Sequence, residues 1–229
     1  MKLISNIDSF EKKINKLNGR LITLNNEYLF LLRTTLSNDA KNIDLITIDS
    51  GYILTFLRLF FDRKIDLITG YDFFMLAKKK SKRKIIIIGK KLLNENKFLA
   101  SNNNIIKINA IFGSPEEIFN ELVMKYEYSI FNDSLIFLML GAEKQENLAH
   151  LIQNKIKPNN TLIAGLGGTW EQVLDGKKVP NFILKFKLSW LFRTIYFWDK
   201  SKPNKIFRSL ISFIYYPKFL KYLIKSQKK

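Results

Sequence analysis

The chain has 229 residues, of which 47% are hydrophobic and 25% are charged, and this balance excludes both a disordered chain and a fibrous repeat. With 38 basic and 20 acidic residues, its formal net charge of +18 indicates an anionic partner. It contains no cysteine and one histidine, His150, which excludes disulfide scaffolds, thiolate zinc sites, cysteine nucleophiles and, within one chain, a multi-histidine metal site.

The N-terminal segment and the hydropathy pattern predict a cytoplasmic protein. The first ten residues include Asp8 and lack the apolar core and small-residue cleavage site of a secretory signal. No uninterrupted apolar run approaches the roughly 18 residues that argue for a membrane-spanning helix. We therefore expect a chain that does not cross a membrane.

Over the first 180 residues, short β-branched apolar runs alternate with longer segments of helical periodicity. The predicted strands are residues 20–24, 43–49, 84–88, 105–110, 134–140 and 161–164. Residues 85–88 and 135–140 lack polar alternation, which indicates strands buried on both faces. The clearest helix start is Ser114-Pro-Glu-Glu117, which has the residues of a capping box. This pattern predicts an α/β fold with a Rossmann-like parallel sheet flanked by helices.

Polar residues follow several predicted strands, and ligands of open parallel sheets bind beyond the carboxyl ends of the strands. The segments concerned are residues 23–27, 47–51, 141–146 and 165–171. Asp49 is placed to act as a general base, and the cap of the next helix is its structural alternative. The side-chain amides of Gln145 and Asn25 are suited to bind sugar hydroxyls. The structural alternatives are a place in the first turn of a helix for Gln145 and a loop cap for Asn25.

The glycine-rich segment Gly165-x-Gly167-Gly168 lets backbone amides approach a phosphate or a ribose, although a tight turn is the simpler interpretation. Trp170 stands where a dinucleotide-binding fingerprint has its third glycine, and Gly89 stands alone after its strand. A nicotinamide-dependent enzyme is therefore disfavoured. The sequence contains no Asp-x-Asp pair that would hold a nucleotide diphosphate through a metal ion.

Residues 181–229 concentrate the charge: they contain 12 basic residues, one acidic residue and 13 of the 31 aromatic residues. A cationic, aromatic segment of helical periodicity is typical of a helix lying on an anionic membrane. We therefore predict a catalytic α/β domain over residues 1–180 and a membrane-docking appendage over 181–229. One alternative is that these aromatic residues complete the hydrophobic core. The other is that the segment binds nucleic acid, although it contains no RNP-like or zinc-finger motif. The 31 lysines against seven arginines also fit a nucleotide-biased genome.

Taken in order, these motifs resemble the bacterial glycosyltransferases that add N-acetylmannosamine or its uronic acid to undecaprenyl-diphosphate-linked N-acetylglucosamine. Their products are teichoic-acid linkage units, enterobacterial common antigen and capsule. The matching segments are residues 23–25, Asp49, 68–72, 141–146, 164–171, 175–176, 178–180 and 188–193. The resemblance covers residues 20–210.

The sequence departs from the family pattern at several positions. Leu67 replaces an arginine, Glu143 a proline, Glu171 an aspartate, and Lys178-Val179 an Arg-Ala pair. The loss at Leu67 removes one expected cation of the pocket. We interpret the chain as a divergent member.

The resemblance implies an inverting transfer without a metal or other cofactor, in which Asp49 is the base and UDP leaves. The implied substrate-binding residues are Thr23, Asn25, Gly70, Asp72, Lys144, Gln145, Glu146, Arg193 and Arg208. The implied nucleotide-binding residues are Gly89, Gly165, Gly167, Gly168 and Glu171. Arg193 and Arg208 of the appendage would stabilise the departing diphosphate.

The implied partners are a UDP-sugar, an undecaprenyl-diphosphate-linked acceptor and the anionic inner face of the cytoplasmic membrane, without nucleic acid. The uronic acid is the preferred donor because Gly-Gly-Thr-aromatic and Gly-Tyr-Asp-Phe resemble the common-antigen branch. The alternative is an inactive transferase-like protein that binds a membrane or RNA. The sequence leaves the oligomeric state open.

Overall fold

The computed structural model describes residues 2–4, 6–24, 44–61 and 65–175. The strands are β1 (Lys2–Leu3), β2 (Gly19–Leu24), β3 (Leu45–Ile48), β4 (Lys84–Gly89), β5 (Ile105–Asn109), β6 (Ser134–Met139) and β7 (Leu162–Gly165). The α-helices are α1 (Ile7–Lys13), α2 (Gly51–Phe61), α3 (Gly70–Lys80), α4 (Glu95–Ala100), α5 (Pro115–Lys125), α6 (Lys144–Leu151) and α7 (Thr169–Asp175). A 3₁₀ turn (Tyr128–Phe131) precedes β6, and a π turn (Ile152–Ile156) follows α6.

The described residues form two compact units. The first unit contains residues 2–4, 6–7, 23–24, 44–61 and 65–69, and the second contains residues 8–22 and 70–175. The predicted boundary at residue 180 and the appendage over 181–229 lie outside the described residues, so both stay predictions.

The second unit is built on a parallel sheet with the strand order β2-β7-β6-β4-β5, to which β2 contributes residues 19–22. In this register Ile85 pairs with Leu135 of β6 on one side and Ile105 of β5 on the other. Residues 85–88 and 135–138 are completely buried. Strands covered on both faces need apolar side chains at every position, which confirms the α/β prediction made from these runs.

The first unit contains the parallel pair β1 and β3, in which Lys2 lies opposite Leu45. The backbone N–H of Asp49 donates to the carbonyl oxygen of Leu24 (2.9 Å), so the ends of β3 and β2 lie side by side. The helix α2 begins directly afterwards. Its first backbone hydrogen bond joins Leu54 N to Ser50 O, which places Ser50 rather than Asp49 at the backbone cap position.

The capping box predicted at Ser114 is confirmed. Ser114 Oγ accepts from the backbone N–H of Glu117 (3.2 Å), and the Glu117 carboxylate accepts from the backbone N–H of Ser114 (2.7 Å). These bonds hold the pKa of Glu117 below its usual value, the backbone hydrogen bond from Ser114 being the largest cause. Behind this start, α5 buries Ile118 and Leu122 in a core shared with β6 and α6.

A cluster of aromatic rings forms the core on the side of α3 and α7. The rings of Phe73 and Phe74 each lie 5.4 Å from that of Phe137, and Trp170 packs edge-on against Phe74 at 6.0 Å. Trp170 is 1% exposed. Trp170, which stands where a dinucleotide fingerprint has glycine, is thus a core residue that holds α7 against the aromatic cluster. Of the helices described, none is long and apolar enough to span a membrane.

Candidate active site

Three neighbouring strands of the second unit end at the same edge of the sheet. Gly89 at the end of β4 pairs with Met139 of β6, and Leu138 of β6 pairs with Gly165 of β7. The ends of these strands and the segments that follow them contain eight of the fourteen residues predicted to bind the nucleotide and the sugar. The parallel fold brings them together although Gly89 and Glu171 are 82 residues apart in sequence.

The glycine-rich turn, residues 165–168, connects β7 to α7. Leu166 N donates to Leu138 O (2.9 Å), which anchors the turn to β6. Gly167 has a φ of 56°, a left-handed conformation that favours glycine. Gly168 is exposed, and no side chain at either position shields the backbone from a ligand.

Gln145, in the first turn of α6, is buried against this turn. Its Oε1 accepts from the backbone N–H of Gly167 (3.0 Å), and its Nε2 donates to Oε1 of Glu146 (2.7 Å). A Cβ at Gly165 would lie 2.8 Å from the side-chain amide of Gln145. Gly165 is therefore required for the close approach of the amide to the end of β7.

Glu146 and Glu143 form a capping box at the start of α6. The Glu146 carboxylate accepts from the backbone N–H of Glu143 (2.6 Å), and the Glu143 side chain accepts from the backbone N–H of Glu146. Burial of the Glu146 carboxyl raises its pKa to about 7. Glu143 has a φ of 72°, which proline cannot adopt, so the departure from the family's proline accompanies a different backbone conformation.

A salt bridge connects the first turn of α7, which follows the glycine-rich turn, to the residue after β4. Lys90 directly follows Gly89, and its ammonium lies 3.1 Å from the Glu171 carboxylate in the first turn of α7. Both side chains are accessible to solvent. Sequence reasoning did not select Lys90, although its position after a buried strand was an available signal. Gly89 is buried, and a Cβ there would lie 2.9 Å from Met139, so close strand packing also accounts for this glycine.

A buried polar network lies beneath this salt bridge, and sequence reasoning missed it. The Glu95 carboxylate accepts from the indole N–H of Trp170 (3.1 Å) and lies 3.8 Å from the ammonium of Lys107. That ammonium donates to Gly89 O and to Asn109 Oδ1, both at 2.8 Å. Burial lowers the pKa of Lys107, and the charge of Glu95 opposes this effect.

The structure places the remaining predicted residues of the second unit at the start of α3 and at the start of α6. A Cβ at Gly70 would lie 2.5 Å from Thr169 Oγ1, so α3 begins against the first residue of α7. Asp72 lies in the first turn of α3. Lys144 donates to Gly113 O (2.8 Å), with its ammonium 5.1 Å from the ring centroid of Phe112.

In the first unit, Thr23 and Asp49 lie at the carboxyl ends of the neighbouring strands β2 and β3. Both are buried, with 7% and 6% of their surface exposed. Leu67, which replaces the arginine of the family pattern, lies two residues after Ile65. The guanidinium of Arg58 donates to the carbonyl oxygen of Ile65 through Nε (3.0 Å) and Nη2 (2.5 Å). The fold thus places Asp49, the predicted base, and Thr23, a predicted sugar-binding residue, at the ends of neighbouring strands.

Asn25, Arg193 and Arg208 lie outside the described residues, so their predicted roles stay predictions. In the described ranges, no group of three or more His, Asp or Glu side chains is arranged to hold a metal ion. The metal-free reaction stays a prediction.

A parallel α/β sheet with a glycine-rich turn and a buried amide at its carboxyl edge is typical of an enzyme that binds a nucleotide. The chain belongs to the Glycosyl transferase WecG/TagA/CpsF family, whose model matches residues 2–229. This match confirms the resemblance found in the sequence motifs. It supports the predicted UDP-sugar-dependent transferase and, in general terms, a sugar-nucleotide donor and a lipid-linked acceptor. A search of curated proteins gives no significant match.

Proposed function

We propose that the protein is an inverting glycosyltransferase that acts in cell-envelope polysaccharide synthesis. It moves N-acetylmannosaminuronic acid, or N-acetylmannosamine, from UDP to undecaprenyl-diphosphate-linked N-acetylglucosamine. The observation that carries the proposal is the glycine-rich turn held by Gln145 at the carboxyl edge of the sheet, in a chain of this family.

The donor nucleotide is assigned to the glycine-rich turn. Its backbone at Gly167 and Gly168 can approach the ribose and the diphosphate without hindrance from a Cβ. Glu171 is the acceptor for ribose hydroxyls, and Lys90, which lies 3.1 Å from it, contributes positive charge near the diphosphate. The position of these groups around one short turn supports a nucleotide rather than a neutral sugar at this place.

Asp49 is assigned as the general base. Its carboxylate takes the proton of the acceptor hydroxyl as that oxygen attacks the anomeric carbon, and the bond from this carbon to the UDP oxygen breaks with its electron pair. Thr23, at the end of the adjacent strand, orients the reacting sugar. General-base assistance contributes about 10²- to 10⁴-fold, so orientation and stabilisation of the departing diphosphate must supply the rest.

The appendage is assigned to the membrane surface and to the leaving group. Its 12 basic residues and its aromatic residues suit the anionic inner face of the cytoplasmic membrane, where the lipid-linked acceptor resides. Arg193 and Arg208 supply positive charge that stabilises the departing UDP. In other transferases a divalent metal ion has this role. Assembly at the membrane limits hydrolysis of the donor elsewhere.

The proposal is tested with the full chain, vesicles containing the lipid-linked acceptor, and radiolabelled UDP-N-acetylmannosaminuronic acid or UDP-N-acetylmannosamine. We expect label in the lipid fraction with at least one donor, inversion at the anomeric carbon, and no loss of activity in EDTA. An absence of transfer with both donors would contradict the proposal. A strict requirement for a divalent metal would contradict its metal-free part.

A further inference from the structure

A chain of hydrogen bonds connects two backbone amides through the side chains of Glu146 and Gln145. The backbone N–H of Glu143 donates to one oxygen of the Glu146 carboxylate at 2.6 Å. The other oxygen accepts from Nε2 of Gln145 at 2.7 Å, and Oε1 of Gln145 accepts from the backbone N–H of Gly167 at 3.0 Å. The start of α6 is thereby linked to the glycine-rich turn.

The donors at both ends of this chain are backbone N–H groups, which cannot change roles. Gly167 therefore requires the oxygen of the Gln145 amide, and the amide nitrogen must face Glu146. Glu146 then receives one donor at each of its two oxygens, and an ionised carboxylate offers both oxygens as acceptors without a competing donor. An amide at position 146 places a donor against a donor at one of the three hydrogen bonds, whichever way the groups turn, and a protonated carboxyl offers only the weaker acceptor of its hydroxyl oxygen at one of them.

The ionised carboxylate that the hydrogen-bond chain favours has a cost in stability. Glu146 is half-buried, and the burial of its carboxyl raises the pKa to about 7, so the ionised form is disfavoured at this position. The carboxylate of Glu143, at the other end of the capping box, adds like charge. A purely structural cap at this position has no need for a buried charge, since an exposed carboxylate caps α5 at Glu117.

We propose that Glu146 is a positioning residue that fixes the orientation of the Gln145 amide and, through Gly167, the conformation of the glycine-rich turn. This assignment differs from the substrate contact that the family resemblance implied for Glu146. It rests on the proposed function only in naming the ligand of the turn, the nucleotide diphosphate of the donor. Disturbing Glu146 therefore weakens nucleotide binding without removing any group that touches the nucleotide.

Three variants of the full chain test this role. Glu146→Gln keeps the shape of the side chain and removes one acceptor. The double exchange Gln145→Glu with Glu146→Gln restores the chain, because the carboxylate at position 145 accepts from Gly167 and from the amide at position 146, whose oxygen accepts from Glu143. Glu116→Gln, an exposed carboxylate in the first turn of α5, is the matched control.

The first readout is hydrogen exchange of the Gly167 backbone amide, measured by NMR without nucleotide. We expect the hydrogen exchange of Gly167 to be about tenfold faster in Glu146→Gln than in the wild type. In the double variant and in Glu116→Gln it should equal that of the wild type. Unchanged exchange in Glu146→Gln would overturn the proposal. If that variant does not fold, the double exchange must still fold and protect Gly167, and its failure would overturn the proposal equally.

The second readout is the affinity for UDP, measured by isothermal titration calorimetry at pH 8. We expect Kd to rise about fivefold in Glu146→Gln and to stay constant in Glu116→Gln. An unchanged Kd in Glu146→Gln would overturn the link from Glu146 to the nucleotide. Failure of the wild type to bind UDP would instead overturn the proposed function, while the exchange of Gly167 still decides the positioning role.

Discussion

The indole N–H of Trp170 donates a 3.1 Å hydrogen bond to the carboxylate of Glu95, and both side chains are buried. The same carboxylate oxygen accepts from Leu92 N at 3.2 Å and lies 3.8 Å from the Lys107 ammonium. One carboxylate thus connects the loop after β4, strand β5 and helix α7. Because α7 carries Glu171, this network sets where the predicted nucleotide-binding carboxylate lies.

We expect Glu95→Gln to destabilise the protein by about 3 kcal/mol, because it leaves the buried Lys107 ammonium without its countercharge. Urea unfolding measures this loss. The matched control is Glu121→Gln, which removes the partner of Lys125 in a solvent-exposed pair on α5. We expect no measurable change in the control, because exposed pairs contribute little. A loss in Glu95→Gln no larger than in the control would show that the buried pair has no net stabilising role.

The raised pKa of Glu146 predicts that its contribution to stability depends on pH. The carboxyl has an ordinary pKa of 4.5 and a pKa of about 7 in the folded chain, so it binds its proton more tightly when folded. The stabilisation is therefore complete below pH 4.5 and is lost as the pH rises through 7. The difference corresponds to about 3 kcal/mol.

Urea unfolding of the wild type and of Glu146→Gln between pH 5 and pH 8 checks this dependence. The unfolding free energy of the wild type should decrease relative to the variant as the pH rises. Affinity of the wild type for UDP should change in the opposite direction and increase through pH 7, because the ionised form is the stronger acceptor for both donors of the hydrogen-bond chain. A constant difference in stability across this range would contradict the raised pKa.

Substitution of Gly165 tests the close approach of Gln145 to β7. We expect Gly165→Ala to displace the Gln145 amide, since the added Cβ would lie 2.8 Å from it, and to raise the Kd for UDP at least about tenfold. Gly141→Ala is the matched control, because a Cβ there meets no atom within 4 Å. Calorimetric titration with UDP compares the two. Equal affinities in both variants would remove Gln145 from the account of the nucleotide site.

The sequence predicts six strands to within two residues because each is an apolar run, and residues 85–88 and 135–138 are buried on both faces. Strand β1 was missed because two residues carry no periodicity. The capping box at Ser114 was predictable because all of its partners lie within four residues. Local patterns therefore suffice for the elements and their order.

The site was predictable only in part, because its contacts depend on which strands are neighbours. Gln145 was selected from its position after a strand, but its bond to Gly167 spans 22 residues and follows from the pairing of β6 with β7. Glu95 and Lys107 are charged residues of the kind that usually lie on the surface. The neighbouring sequence gives no indication that both side chains are buried. The catalytic role of Asp49 stays a prediction, because no described contact depends on it being a base.

The most direct test of the account is the rate of sugar transfer by Asp49→Asn, measured with the full chain, UDP-sugar donor and vesicle-bound acceptor. Asp133→Asn, which replaces an exposed carboxylate beside the amino-terminal end of β6, is the control. We predict that Asp49→Asn lowers turnover about 10²- to 10⁴-fold while its Kd for UDP stays within about twofold of the wild type, and that the control retains full turnover. Turnover of Asp49→Asn equal to that of the control would contradict the assignment of Asp49 as the general base.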